Sequence, residues 1–149
     1  MTSDEINGFF TVALNYAVNQ LVTDGQLPAT AVIKTATGAC TACTLPFTDA
    51  RSKAEAIATF VTELTALRPH CAVVVVPISQ SNGKRGKQSS SLCVAFQSFQ
   101  NKFVSLVHYS RSKKGEFSFE APYFCDDTEI VLSGHEYFGD AFDTNNNVH

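Results

Sequence analysis

From Cys71 to Ser79 the chain reads Cys-Ala-Val-Val-Val-Val-Pro-Ile-Ser, the only run apolar enough to be buried on both faces of a sheet. It is therefore expected to be the central strand. The residues before it must supply cover, and those after it must extend the sheet.

The size of the chain allows this without help. At 149 residues it fits one domain that can bury on the order of two thirds of its unfolded surface without disulfides. A hydrophobic content of 44% with 17% charged residues is that of a globular protein, neither disordered nor membranous. The net charge of −3 predicts no bulk attraction to nucleic acid or anionic lipid, so any electrostatic role must come from local clustering. The N-terminus, Met-Thr-Ser-Asp-Glu, is acidic where a secretory signal would be basic, and no stretch of 18 apolar residues could span a bilayer. Five cysteines, an odd number spread singly along expected strands, read as reduced thiols of a cytoplasmic protein.

Thr2 and Glu5 have capping-box spacing, and Ile6, Phe9, Phe10, Ala13, Tyr16, Ala17 and Leu21 recur at helical intervals up to Asp24-Gly25. Residues 30–37 and 39–47 are rich in β-branched side chains and are split by Gly38, which predicts a hairpin. A second helix should start at Thr48 or Asp49 and run to Arg68, with Ala54, Ile57, Ala58, Val61, Leu64 and Leu67 as its apolar stripe. Residues 80–90 contain no apolar side chain and read as a mobile loop. Strands are expected at 92–99, 102–109 and 117–124, with a last short one at 128–132. From Gly134 onward the chain reads as a partly disordered acidic tail with anchoring aromatics.

The resulting fold class is α+β: a domain over residues 1–133 in the order α-β-β-α-β-β-β-β, then a tail over 134–149. A five- to six-stranded, mainly antiparallel sheet carries two long helices. In element order this resembles the roadblock and profilin-like arrangements, in which a five-stranded sheet carries helices and often dimerises. The resemblance implies a topology and says little about function.

The informative pattern is one of charge. In a meander, the loop at 80–90 and the turn at 112–115 fall at one end of the sheet, which brings Lys84, Arg85, Lys87, Arg111, Lys113 and Lys114 together. These are six of the eleven basic residues. From Cys125 onward there is no Lys or Arg, only Asp126, Asp127, Glu129, Glu136, Asp140 and Asp143. The basic end can serve as solvated loop tips that guard strand edges, as an anion-binding surface with Tyr109 and Phe117 as stacking groups, or as the seat of the acidic tail of the same or a neighbouring subunit.

Enzyme readings meet geometric obstacles. Cys40 and Cys43 have redox or zinc spacing but fall in an expected strand, where side chains three apart point to opposite faces. The adjacent His70 and Cys71 cannot supply the second ligand pair of a zinc site, so no metal and no cofactor is implied. The glycines of Gly83-Lys-Arg-Gly86-Lys87 are too close together for a phosphate loop, and no helix follows. Cys71, Cys93 or Cys125 could meet His108 or His135 across strands, and Ser133-Gly134-His135-Glu136 sets an imidazole beside a carboxylate. The expected function is a non-enzymatic interaction domain acting through the basic end, with a protein partner or a homodimer and no membrane. The alternatives are a cysteine- or histidine-dependent hydrolase or transferase, and a nucleic-acid-binding accessory protein.

Overall fold

The structure is a computed structural model that describes the backbone of residues 1–82 and 87–143, and the side chains of these apart from 79–82 and 87–89. The elements are α1 Ser3–Asp24, β1 Ala29–Thr35, β2 Cys40–Leu45, α2 Ala50–Ala66, β3 Pro69–Asn82, β4 Lys87–Ser98, β5 Lys102–Arg111, β6 Phe117–Phe119, β7 Tyr123–Phe124 and α3 Thr128–His135, followed by a 3-10 turn over Glu136–Phe138. The fold is α+β. Among the described residues seven strands form one antiparallel sheet in the order β2-β1-β3-β4-β5-β6, and β7 also pairs with β5.

The Cys71–Ser79 run lies inside β3, which is flanked by β1 and β4. Its side chains alternate between two cores. Cys71, Val73 and Val75 face α1, while Ala72 and Val74 face α2, α3 and the turn, and all five are fully buried. Burying each valine contributes roughly 1.5–3 kcal/mol. The sheet is thus the middle of three layers.

Local sequence fixes the helices. Thr2 Oγ1 accepts the Glu5 amide at 3.1 Å at the start of α1, and Gly25, at φ 76°, donates its N–H to the Leu21 carbonyl at the end. Phe9, Ala13, Ala17 and Leu21, each four residues apart, form the buried line of α1, and the alanines let the helix approach the sheet. Asp49 and Ser52 exchange capping bonds at the start of α2. Its buried line differs from the expected stripe: Phe60 and Leu64 are buried with Ala56, Ile57 and Val61 beside them, whereas Ala54, Ala58 and Leu67 are exposed. The largest side chain, Phe60, sets which face turns inward.

Three further expectations are corrected. Residues 80–90 do not form one long loop: β3 and β4 stay paired out to Asn82↔Lys87, because a lack of apolar residues reports a lack of core beneath the strands and not a lack of pairing. Residues 117–124 are two strands. Glu120 donates its N–H to the His108 carbonyl, and Tyr123 is opposite Leu106, so Ala121 and Pro122 together face Val107 as a bulge. Residues 128–132 are helical, since Asp127 Oδ1 accepts the amides of Glu129 and Ile130 at 3.1 and 3.2 Å. An N-cap outweighs the β-branched pair Ile130 and Val131.

The segment expected to be a tail divides. Gly134, Tyr137, Phe138, Ala141 and Phe142 are buried in the core on the α2 side of the sheet, and residues 144–149 lie outside the described residues. Lys53 of α2 holds the turn down by pairing with Glu136, with its ammonium 5.4 Å from the Tyr137 ring centroid and 5.9 Å from that of Phe47.

Candidate functional site

The register fixes where the basic residues sit. Ser90 is opposite Tyr109 and Asn82 is opposite Lys87, so the start of β4 and the end of β5 share one end of the sheet. The turn from Ser112 to Gly115 joins β5 to β6 at that same end. Ser112 accepts the Gly115 amide on its carbonyl and the Glu116 amide on its hydroxyl. Lys113 and Lys114 ride on this turn, exposed, and neither forms an ion pair among the described residues. Lys87 is the first residue of β4, and its side chain lies outside the described residues. Lys84 and Arg85 also lie outside them.

Arg111 differs from the lysines. Its guanidinium is 4.9 Å from the Phe117 ring centroid, and its nitrogens pass within 3.6 Å of where a Cβ would sit on Gly25 or Gly115. That places a cation beside the C-terminus of α1, whose last turn carries no basic residue of its own. Tyr109 and Phe117, expected as stacking groups, pack against each other with tilted rings at 6.2 Å, and Phe117 stacks on Phe119.

Next to this end lies an arrangement that the sequence reading missed. Ser91 and His108 are cross-strand partners, and the Ser91 hydroxyl is hydrogen-bonded to His108 Nδ1. His108 Nε2 is 2.8 Å from the Tyr123 hydroxyl. The bulge makes the second contact possible: one extra residue at Ala121–Pro122 reverses the alternation of the edge strand, so Phe119 points to the α1 face and Tyr123 to the opposite one. The only sequence signal was Pro122 in the middle of an expected strand. With Ser91 fully buried, its hydroxyl is out of reach of any substrate, and both ring nitrogens of His108 are occupied. This line ties the edge strand to the sheet.

Among the described residues no hydrogen bond joins a cysteine to a histidine. His108 meets Ser91 and Tyr123 rather than a thiol. Burial pushes the Cys71 thiol up to about 12 and that of Cys93 up to about 11, which is the reverse of nucleophile activation. Cys43 is raised by burial and by the Glu63 carboxylate. Cys43 packs against the α2-side core while Cys40 is exposed, and all five cysteines are free. Burial, and then Lys102, lower the pKa of His135, and neither of its ring nitrogens has a hydrogen-bond partner among the described residues. Among the described residues no group of three or more His, Cys, Asp or Glu side chains could hold a metal ion, and no helix is long and apolar enough to cross a membrane.

Compared with protein-family models, with curated proteins and with solved structures, the chain matches none of them.

Proposed function

We propose that the protein is an interaction domain that engages an acidic protein surface through the basic end of its sheet. The observation that carries this reading is the turn bearing Lys113 and Lys114. Two adjacent ammonium groups stand exposed, with no ion-pair partner among the described residues, on a turn closed by its own hydrogen bonds, at the end where β4 begins with Lys87. The Arg111 guanidinium lies close to Gly115 of the same turn. These three lysines, with Lys84 and Arg85 just before Lys87 in the sequence, are cations of a chain that is net acidic. Such charge speeds and orients encounter more than it adds affinity, and it is sensitive to salt.

The test is binding of a fluorescent ten-residue poly-glutamate peptide, followed by anisotropy, to the full chain and to a variant with Lys84, Arg85, Lys87, Lys113 and Lys114 changed to Ser. Binding by the full chain that weakens with salt and falls about tenfold in the variant supports the reading. Equal binding by both proteins, or none by either, removes it. A single-stranded oligonucleotide bound in preference to the peptide would replace the protein partner with nucleic acid.

A further inference from the structure

We propose that the other edge of the sheet, β2, together with the flank of α2, takes up an extended basic segment of a partner protein as an added strand. Among the described residues β2 hydrogen-bonds to one neighbour only, β1. Its sequence, Cys-Thr-Ala-Cys-Thr-Leu, contains no charged residue and no proline, the devices that ordinarily keep an edge from pairing. The opposite edge does carry such a device, the bulge at Pro122.

Between β2 and α2 runs a groove of about 380 Å³. Cys43, Leu45, Ala56 and Phe60 supply its apolar floor and wall, Glu55 and Glu63 also line it, and among the described residues no Lys or Arg does. Glu55 has Arg51 as a neighbour at 3.5 Å, but with side chains 70% and 91% exposed that pair holds little of its charge. Glu63 has no ion-pair partner among the described residues. A strand laid along β2 would place alternate side chains in this groove, the geometry of recognition by strand addition.

The spacing of the glutamates sets a register for the occupant. Glu55 and Glu63 are eight residues apart on α2, about 12 Å at a rise of 1.5 Å per residue. Along an extended chain that is close to four residues at about 3.3 Å each. Cations at positions i and i+4 of the added strand therefore point to the same side and reach the two carboxylates, and the residue at i+2 faces the floor at Ala56 and Phe60. A segment of the form Lys-x-Val-x-Lys meets all three requirements.

The probe is a labelled peptide, Thr-Lys-Thr-Val-Thr-Lys-Thr with blocked ends, compared with its counterpart carrying Glu in place of both lysines, each titrated into the full chain. The lysine peptide should bind and slow hydrogen exchange at amides within Thr41–Leu45, and the glutamate peptide should bind at least about fivefold more weakly. Glu55→Gln with Glu63→Gln should narrow that difference. Thr59→Arg, at an exposed lining position, should abolish binding without loss of fold. The proposal fails if neither peptide binds, if both bind alike, or if binding leaves the Thr41–Leu45 amides unprotected. It also fails if the chain alone sediments as a dimer with those amides already protected, since a second copy then holds the edge.

Discussion

Gly139 follows the 3-10 turn at φ 50° and ψ −125°, a backbone region open to glycine and strained for other residues. A Cβ there would also lie 2.9 Å from Val61 Cγ2 of α2. Gly139→Ala therefore combines backbone strain with overpacking and should cost roughly 2–4 kcal/mol in urea unfolding. Adding Val61→Ala removes the clash but not the strain, so the double variant should lose less stability than the sum of the single changes. His135, a few residues earlier, makes a prediction of a different kind. Its pKa is lowered in the folded state, chiefly by burial and then by Lys102, so below about pH 6.5 the unfolded chain binds a proton that the folded chain resists. Stability must then fall as pH drops through that value toward the lower folded one. His135→Phe, beside the Phe138 ring, should flatten the pH dependence of the melting temperature between pH 7 and 5. A slope left unchanged would place the titrating group elsewhere.

At the scale of elements, the edge strand is the place where pairing and side-chain chemistry depend on each other. The bulge turns Tyr123 toward His108, and His108 in turn satisfies the buried Ser91 hydroxyl. His108→Ala leaves that hydroxyl without its partner and should cost about 1–3 kcal/mol, more than Tyr123→Phe, whose hydroxyl belongs to a side chain 46% exposed. Equal losses in urea unfolding would mean that the line acts as a single unit. The same elements mark what could be read in the sequence. The central strand, the caps at Thr2 and Asp49 and the glycine stop at Gly25 were legible because each is a local signal with a local cause. The helical character of α3 was not, because Ile130 and Val131 favour a strand until the carboxylate of Asp127 accepts two amides. The Ser91–His108–Tyr123 line was not, because one bulge residue decides which face Tyr123 occupies. The groove between β2 and α2 escaped for another reason: Glu55 and Glu63 acquire meaning only once α2 is seen beside an open strand edge. For the basic end, the convergence of strand ends came from the meander, while the engagement of Arg111 with Phe117 and α1 did not.

For the molecule as a whole, the acidic C-terminal segment belongs to the core before it belongs to the electrostatics. It crosses the α2 face of the sheet, pairs Glu136 with Lys53, and brings Phe142 and Asp143 beside Gln97–Lys102. That is the opposite end of β5 from Lys113 and Lys114, and a ten-residue strand spans about 30 Å, several screening lengths at physiological salt. Within the described residues, then, Asp143 and the basic end do not neutralise each other in one molecule. Removing everything after Phe124 strips Tyr137, Phe138 and Phe142 from the sheet and uncovers Val74, Ala95, Val104 and Leu106 beneath them. Truncating one such aromatic costs about 3–5 kcal/mol, so losing three exceeds most of the 5–15 kcal/mol by which a domain is stable. A chain ending at Phe124 should show no cooperative thermal transition and should bind a hydrophobic dye. Lys113→Ser with Lys114→Ser, on an exposed turn, should keep the full melting transition within about 0.5 kcal/mol. Calorimetry of the two proteins separates these roles. If the shortened chain melts cooperatively, the aromatics are cover that the core can spare. If the double lysine variant loses stability, the basic turn belongs to the architecture of the sheet end, and its charge is not free for a partner.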